Sequence, residues 1–366
     1  MKELNQKPNL DVILDKALKR QNLSCKEILF LLTLSTENDL RKLFAVARSL
    51  RDRNFNRKIF LYGFVYFSTW CRNACTFCGY RSSNSQMPRY RRTEEEIWDA
   101  VLRLQESGVH LVDLTMGEDP YYHRKQGFDP LLNLVRQIKR ETDLSVMISP
   151  GLISKQLLEQ FSSAGADWYA CYQETYNKSL FRRLRVGQSF QQRLVSKLQA
   201  AQVGLLVEEG LLLGVGESLE NIASAMQRMQ ILGAQQVRAM SFIPQPGSPL
   251  ESLPSPDRQR ELITIAVFRL LFPDKLIPAS LDIDGISGLA DRLAAGANVI
   301  TSLIPPNAGF AGVAQHSKDI NEGYRTVAGI MPVIRSLGLE IATIEEYSHW
   351  ISEQKDMLIS VKQGSR

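Results

Sequence analysis

The chain has 366 residues, 44% apolar and 23% charged, with a net charge of +5. That length suits one large barrel or two smaller domains of an ordinary globular protein. The charge is too mild and dispersed for a nucleic-acid partner, no apolar run approaches the roughly 20 residues of a membrane span, and polar residues 1–16 lack a signal-peptide core, so a cytoplasmic protein is expected.

Residues 1–55 read as a helical cap. Ser24 and Glu27 have capping-box spacing ahead of Ile28, Leu31 and Leu32. Leu40, Leu43, Phe44 and Ala47 then repeat at helical period. From Ile59 short apolar runs alternate with amphipathic stretches. A strand over 59–67 leads straight into a cysteine-rich loop. The run Arg89-Tyr90-Arg91-Arg92 reads as a solvated loop beside it. Thr93 and Glu96 form a second capping box, before Ile97, Ala100, Val101 and Leu104. Strand two covers 110–116. Asp129 reads as a cap, with Pro130 opening the helix of Leu131, Leu134, Val135 and Ile138. Strands three to eight fall at 144–148, 168–172, 203–213, 236–241, 276–279 and 298–302, with a helix starting at Ser255-Pro256. Eight strands alternating with helices predict an α/β fold, a (β/α)8 TIM-type barrel over 56–340, capped by 1–55 and followed by a tail at 341–366. A doubly wound sheet alternates in the same way; the count and length favour the barrel.

Cys71, Cys75 and Cys78 are spaced C-x3-C-x2-C. Thiolates hold iron–sulfur clusters. Three ligands on a [4Fe–4S] cube leave one iron open to bind a small molecule and pass it an electron. Structural zinc wants four ligands, and the run has no second cysteine pair or nearby histidine to complete one. A ferredoxin-like carrier needs a fourth cysteine. The spacing, with Phe77 before the third cysteine, resembles the signature of the radical S-adenosylmethionine (SAM) enzymes. A [4Fe–4S] cluster and SAM are therefore the expected cofactors, with Cys71, Cys75 and Cys78 as the metal ligands at the catalytic centre.

In such barrels the active site lies at the C-terminal ends of the strands. Asp113, Glu174, Arg238 and Asp282 sit on or just after apolar strands. Unpaired buried charges cost several kcal/mol, so their placement points to function. Met116-Gly117-Glu118, Ser149-Pro150-Gly151 and Gly214-Val215-Gly216 occupy further strand ends. The glycine pair at 214 and 216 alone is no more than a turn.

Longer blocks then carry a closer resemblance. The stretches Leu114-Thr115-Met116-Gly117-Glu118-Asp119-Pro120-Tyr121-Tyr122, Tyr172-Gln173-Glu174-Thr175-Tyr176 and Arg183-Leu184-Arg185-Val186-Gly187-Gln188-Ser189-Phe190 resemble the methylornithine synthase family, radical SAM lysine mutases of pyrrolysine biosynthesis. So do Leu276-Ile277-Pro278-Ala279-Ser280-Leu281-Asp282 and Gly296-Ala297-Asn298-Val299-Ile300-Thr301-Ser302. The resemblance implies isomerisation of L-lysine to (3R)-3-methyl-D-ornithine. In that chemistry a 5′-deoxyadenosyl radical takes a hydrogen from lysine, a carbon–carbon bond breaks, and the fragments rejoin. It also implies a low-potential electron donor such as flavodoxin or ferredoxin. Carried over by position, Met116, Gly117, Glu118, Ser149, Glu174 and Arg193 bind the cofactor. Asp113, Arg238, Ser280 and Asp282 bind the substrate: Arg238 and Ser280 its carboxylate, Asp113 and Asp282 its ammonium groups. Gly79, where the family has an aromatic residue, and Glu217-Ser218 depart from the pattern.

The alternatives are a related enzyme of the biotin synthase or hydrogenase maturase type acting on another amino acid. A sulfur-inserting enzyme needs a second cluster, and only Cys25 and Cys171 remain for one.

Overall fold

The computed structural model describes residues 8–125, 127–305, 319–320 and 322–364; the remainder of the expected N-terminal cap and C-terminal tail lies outside them. Strands β1 (Lys58–Ser68), β2 (Leu111–Met116), β3 (Ser145–Ser149), β4 (Trp168–Ala170), β5 (Leu206–Leu213), β6 (Gln236–Ser241), β7 (Pro278–Ser280) and β8 (Val299–Leu303) form one parallel sheet. Their spatial order is β6-β5-β4-β3-β2-β1-β8-β7. The outer pair, β6 and β7, meets through one bridge between Gln236 and Leu276. Two hydrogen bonds make it, from Val237 N–H to the Leu276 carbonyl and from Leu276 N–H to the Gln235 carbonyl, both 3.0 Å. The barrel is therefore joined at its floor and parted between β6 and β7 at its mouth, where the site lies. A two-residue β9 (Glu340–Ile341) pairs with the start of β1 below.

Helices α1 (Leu10–Leu18), α2 (Cys25–Leu32) and α3 (Glu37–Phe55) precede the barrel. The barrel helices follow: α4 (Glu94–Ser107), α5 (Asp129–Glu141), α6 (Lys155–Ala164), α7 (Lys178–Leu184), α8 (Phe190–Gln202), α9 (Leu219–Leu232), α10 (Arg258–Leu271), α11 (Leu289–Ala294) and α12 (Val327–Ser336). Both predicted capping boxes form, at Ser24/Glu27 and Thr93/Glu96. The helix expected after a cap at Asp129 instead includes Asp129 in its first turn, with Phe128 ahead of it and no side-chain cap. The one expected from Ser255-Pro256 starts at Arg258, because Asp257 accepts from Gln259 N–H and caps it.

The N-terminal helices explain why α10 is buried on every side from Ile263 onward. It packs on α2, α3 and β6, and carries Arg269 with no exposed surface. Among the described residues no carboxylate hydrogen-bonds to that guanidinium. It donates instead to the carbonyls of Gly296, Phe272, Pro273 and Lys275 and to Asn298 Oδ1. Burial, with the like charge of Arg51 adding to it and outweighing Asp274 and Asp52, pulls its pKa down to about 9. The last helix, α13 (Ile344–Gly364), sets Tyr347 and Trp350 under the barrel floor, where Tyr347 meets Tyr62 hydroxyl to hydroxyl at 2.7 Å. No helix among the described residues is long and apolar enough to cross a membrane.

Candidate active site

The mouth of the barrel holds a cavity of about 290 Å³. The candidate ligand, cofactor and substrate residues all line it: the three cysteines, the expected cofactor set Met116, Gly117, Glu118, Ser149, Glu174 and Arg193, and the quartet Asp113, Arg238, Ser280 and Asp282. Cys171, at the end of β4, faces the same space.

The cysteine loop leaves β1 at Ser68 and is tied down on both sides. Arg72 N–H reaches the Glu118 carbonyl at 3.0 Å, and Thr76 N–H reaches the Leu184 carbonyl, at the end of α7, at 2.8 Å. Gly117 is required where β2 meets this loop. A Cβ there would stand 2.3 Å from the Trp70 carbonyl oxygen and 2.8 Å from Cys71 Cβ. Burial pushes the Cys71 and Cys78 thiols up, and the neighbouring sulfurs add to the shift; a cationic centre beside them would favour their thiolates. Among the described residues no three Cys, His, Asp or Glu side chains converge on one ion position; an iron–sulfur cube spreads its thiolates more widely than a single ion. The donor set thus fits a [4Fe–4S] cluster with three protein ligands.

Beside the cysteine loop lie two buried acid–base pairs among the expected cofactor residues. Glu118 meets Arg72 Nε at 3.0 Å and Arg193 Nη1 at 3.5 Å, and accepts Leu152 N–H at 3.0 Å. Although burial pushes its carboxyl up, the Leu152 N–H and the two arginines outweigh it and hold it below the usual range. Gly151, in the left-handed region at φ +78°, makes room for this carboxylate, whose Cγ stands 2.1 Å from where a Cβ would be. Glu174 pairs not with Arg193 but with Arg185, at 2.5 Å. Glu174 itself has φ +66°, which strains a residue with a side chain. Its backbone is held by exchange with β5: Glu174 N–H to the Gly210 carbonyl and Leu212 N–H to the Glu174 carbonyl. Just before it, Glu209 accepts Gln173 N–H and Gly210 N–H, both at 2.8 Å, and is neutralised by fully buried Lys197.

The quartet forms the floor. Arg238 gives Nε to Glu208 at 2.7 Å and Nη1 to Thr301 at 3.1 Å; its Nη2 is buried without a hydrogen-bond partner. Tyr172 donates to the other Glu208 oxygen at 2.7 Å. Asp113 accepts from Ser149 at 2.8 Å, so Ser149 faces the floor as well as the cofactor side. Desolvation pushes Asp113 up to about 7, against the Ser149 hydrogen bond. Asp282 is held by Arg325 and Tyr66, each at 2.5 Å. Ser280 lies 3.3 Å from the Ser302 hydroxyl.

Glu208, Arg185 and Arg325 were missed by the sequence reading. Arg185 lay within a quoted block, and Glu208 is one of two adjacent acids inside an apolar strand, a pattern that marks at least one buried charge. The two departures have local explanations. A side chain at Gly79 would meet Met87 Sδ at 2.8 Å, so Met87 fills that space. Glu217 turns inward to accept Gly214 N–H and Val215 N–H at 2.8 and 2.9 Å, closing the glycine turn.

A parallel eight-strand barrel with three cysteines in the loop after its first strand defines a radical SAM enzyme, and residues 65–229 match the Radical SAM superfamily. The chain is 40% identical to 3-methylornithine synthase of Methanosarcina acetivorans over 339 residues, 93% of this chain and 96% of that one. Against 3-methylornithine synthase of Methanosarcina barkeri it is 42% identical over 334 residues, covering 91% and 94%. The crystal structure of methylornithine synthase superposes with a TM-score of 0.87 at 40% identity, over 92% of this chain and 99% of that one. The chain belongs to the 3-methylornithine synthase family.

Proposed function

We propose that the chain isomerises L-lysine to (3R)-3-methyl-D-ornithine, the first step of pyrrolysine biosynthesis. The observation that carries this reading is the buried, unpartnered Nη2 of Arg238 on a floor of acids. A buried donor without an acceptor costs about 1–3 kcal/mol, and a substrate carboxylate relieves that cost. The charge count supports lysine. Among the described residues of this part of the cavity, Asp113, Glu208 and Asp282 face Arg238 and Arg325, one acid in excess. Lysine, with two ammonium groups and one carboxylate, carries one positive charge. Asp113, pushed up to about 7 in the free site, is the acid that an arriving ammonium would ionise.

When bound, the cluster and SAM supply the radical that removes a substrate hydrogen. The chain's own residues hold and shield the substrate. Cys71, Cys75 and Cys78 hold the cluster, and Met116 to Glu118 with Glu174, Arg185 and Arg193 bind SAM. Arg238 and Ser280 grip the lysine carboxylate; Asp113 and Asp282 take its ammonium groups. The ring walls Phe64 and Tyr172, centred 5.9 and 5.8 Å from the Arg238 guanidinium, exclude water from that grip. A carrier such as flavodoxin or ferredoxin, in the cytoplasm, supplies the electron. Anaerobic calorimetry with cluster-loaded protein and SAM tests the assignment. Lysine should bind at least tenfold tighter than cadaverine, which lacks the carboxylate, or norleucine, which lacks the side-chain amine. Equal affinities would contradict it.

A further inference from the structure

Gln188 stands between α7 and α8, outside the residues first assigned to the site. Its Nε2 lies 3.0 Å from Cys75 Sγ. The orientation of an amide follows from its hydrogen-bond network, and here that network is decisive. Oε1 accepts from Arg185 Nη1 and from Arg193 Nη1, both at 3.3 Å. A flipped amide would press its NH2 against two guanidinium groups and aim its oxygen at the sulfur. The NH2 must therefore point to Cys75. Arg185 Nη1 also approaches this sulfur, at 3.7 Å. The other two cysteines meet backbone donors instead: Asn73 N–H at 3.4 Å from Cys71, and the Tyr80 backbone at Cys78.

We propose that Gln188 sets the reduction potential of the cluster through its N–H···S hydrogen bond to Cys75. The proposal rests on the reading of Cys71, Cys75 and Cys78 as ligands of a [4Fe–4S] cluster. An electron added to the cluster increases the negative charge on its sulfurs. Hydrogen bonds to those sulfurs are one of the factors that set cluster potentials, and a donor stabilises the reduced form. Gln188 is neutral, so its effect depends on orientation, and the two arginines fix that orientation. The same amide joins the Glu174–Arg185 and Glu118–Arg193 pairs to one cluster ligand.

The test uses anaerobically reconstituted holoenzyme and a redox titration followed by electron paramagnetic resonance. Gln188→Leu keeps the volume and removes the donor. Its one-electron reduction constant should fall roughly threefold to tenfold, tenfold being 59 mV for one electron. Gln188→Glu, which replaces the donor with an anion, should fall at least as far. Val186→Ala, at an exposed neighbour, should leave the potential unchanged. A second measurement needs no variant. Wild-type protein grown with glutamine labelled with ¹⁵N at its side chain should show a ¹⁵N coupling in the spin-echo modulation of the reduced cluster. Unchanged potential in a cluster-loaded Gln188→Leu protein would overturn the proposal. So would a wild-type cluster without the ¹⁵N coupling, which decides the matter should the variant fail to load. A wild-type chain that takes up no cluster would overturn the underlying reading as well.

Discussion

Arg238→Lys tests the proposed substrate grip most sharply, because two nitrogens of this guanidinium are engaged and the third is not. Nε holds Glu208, Nη1 holds Thr301, and Nη2 has no partner among the described residues, which leaves it free for the proposed substrate carboxylate. Lysine keeps the positive charge but has a single nitrogen. Held by Glu208, that nitrogen cannot also reproduce the planar reach toward Thr301 and the cavity. The loss is then one charge-assisted hydrogen bond, about 1.5–3 kcal/mol. At about 1.4 kcal/mol per factor of ten, kcat/KM for lysine should fall roughly 10- to 150-fold. Iron content, the cluster spectrum and SAM binding should stay as in wild type. The assay is anaerobic lysine turnover read by mass spectrometry, with thermal melts alongside. A folded, iron-loaded Arg238→Lys protein with wild-type kcat/KM would refute the reasoning and remove Arg238 from the site.

Two further outcomes follow from the buried charges. Asp113, pushed up to about 7 by desolvation, is protonated below that value and gives an ammonium nothing to pair with. Therefore kcat/KM for lysine should rise with pH through about 7, and the rise should vanish in Asp113→Asn; an identical rise in that variant would assign it to another group. Lys197→Met strips the cation from buried Glu209 and should cost about 3–5 kcal/mol of stability, seen in denaturant melts. Wild-type melting would mean that the Lys197–Glu209 pair contributes nothing to the fold.

The barrel was legible because period-2 apolar runs and capped helices alternate along the chain, and the cysteine loop because its spacing is local. What stayed hidden is the pairing between strands. Glu208 becomes the partner of Arg238, and Arg325 that of Asp282, across 30 and 43 residues of sequence. No local pattern announces such contacts. They also change the meaning of a variant. Asp282→Asn removes a counter-charge from a guanidinium with no exposed surface, so it should loosen the fold as well as the proposed substrate grip. Strand ends shifted for similar reasons. β4 was expected to reach Tyr172 but ends at Ala170, because Glu209 takes the Gln173 N–H and bends the chain into the left-handed turn at Glu174. β5 was expected from Val203 but starts at Leu206, after Gly204 at φ +91°.

The most direct test of the account is a single anaerobic incubation of reduced, cluster-loaded protein with SAM and ¹³C-labelled L-lysine, followed by nuclear magnetic resonance and mass spectrometry. The predicted product has the mass of lysine and a new branching methyl signal, while SAM is recovered. Unaltered lysine, or deoxyadenosine accumulating one-for-one with product, would contradict an isomerase that returns its hydrogen.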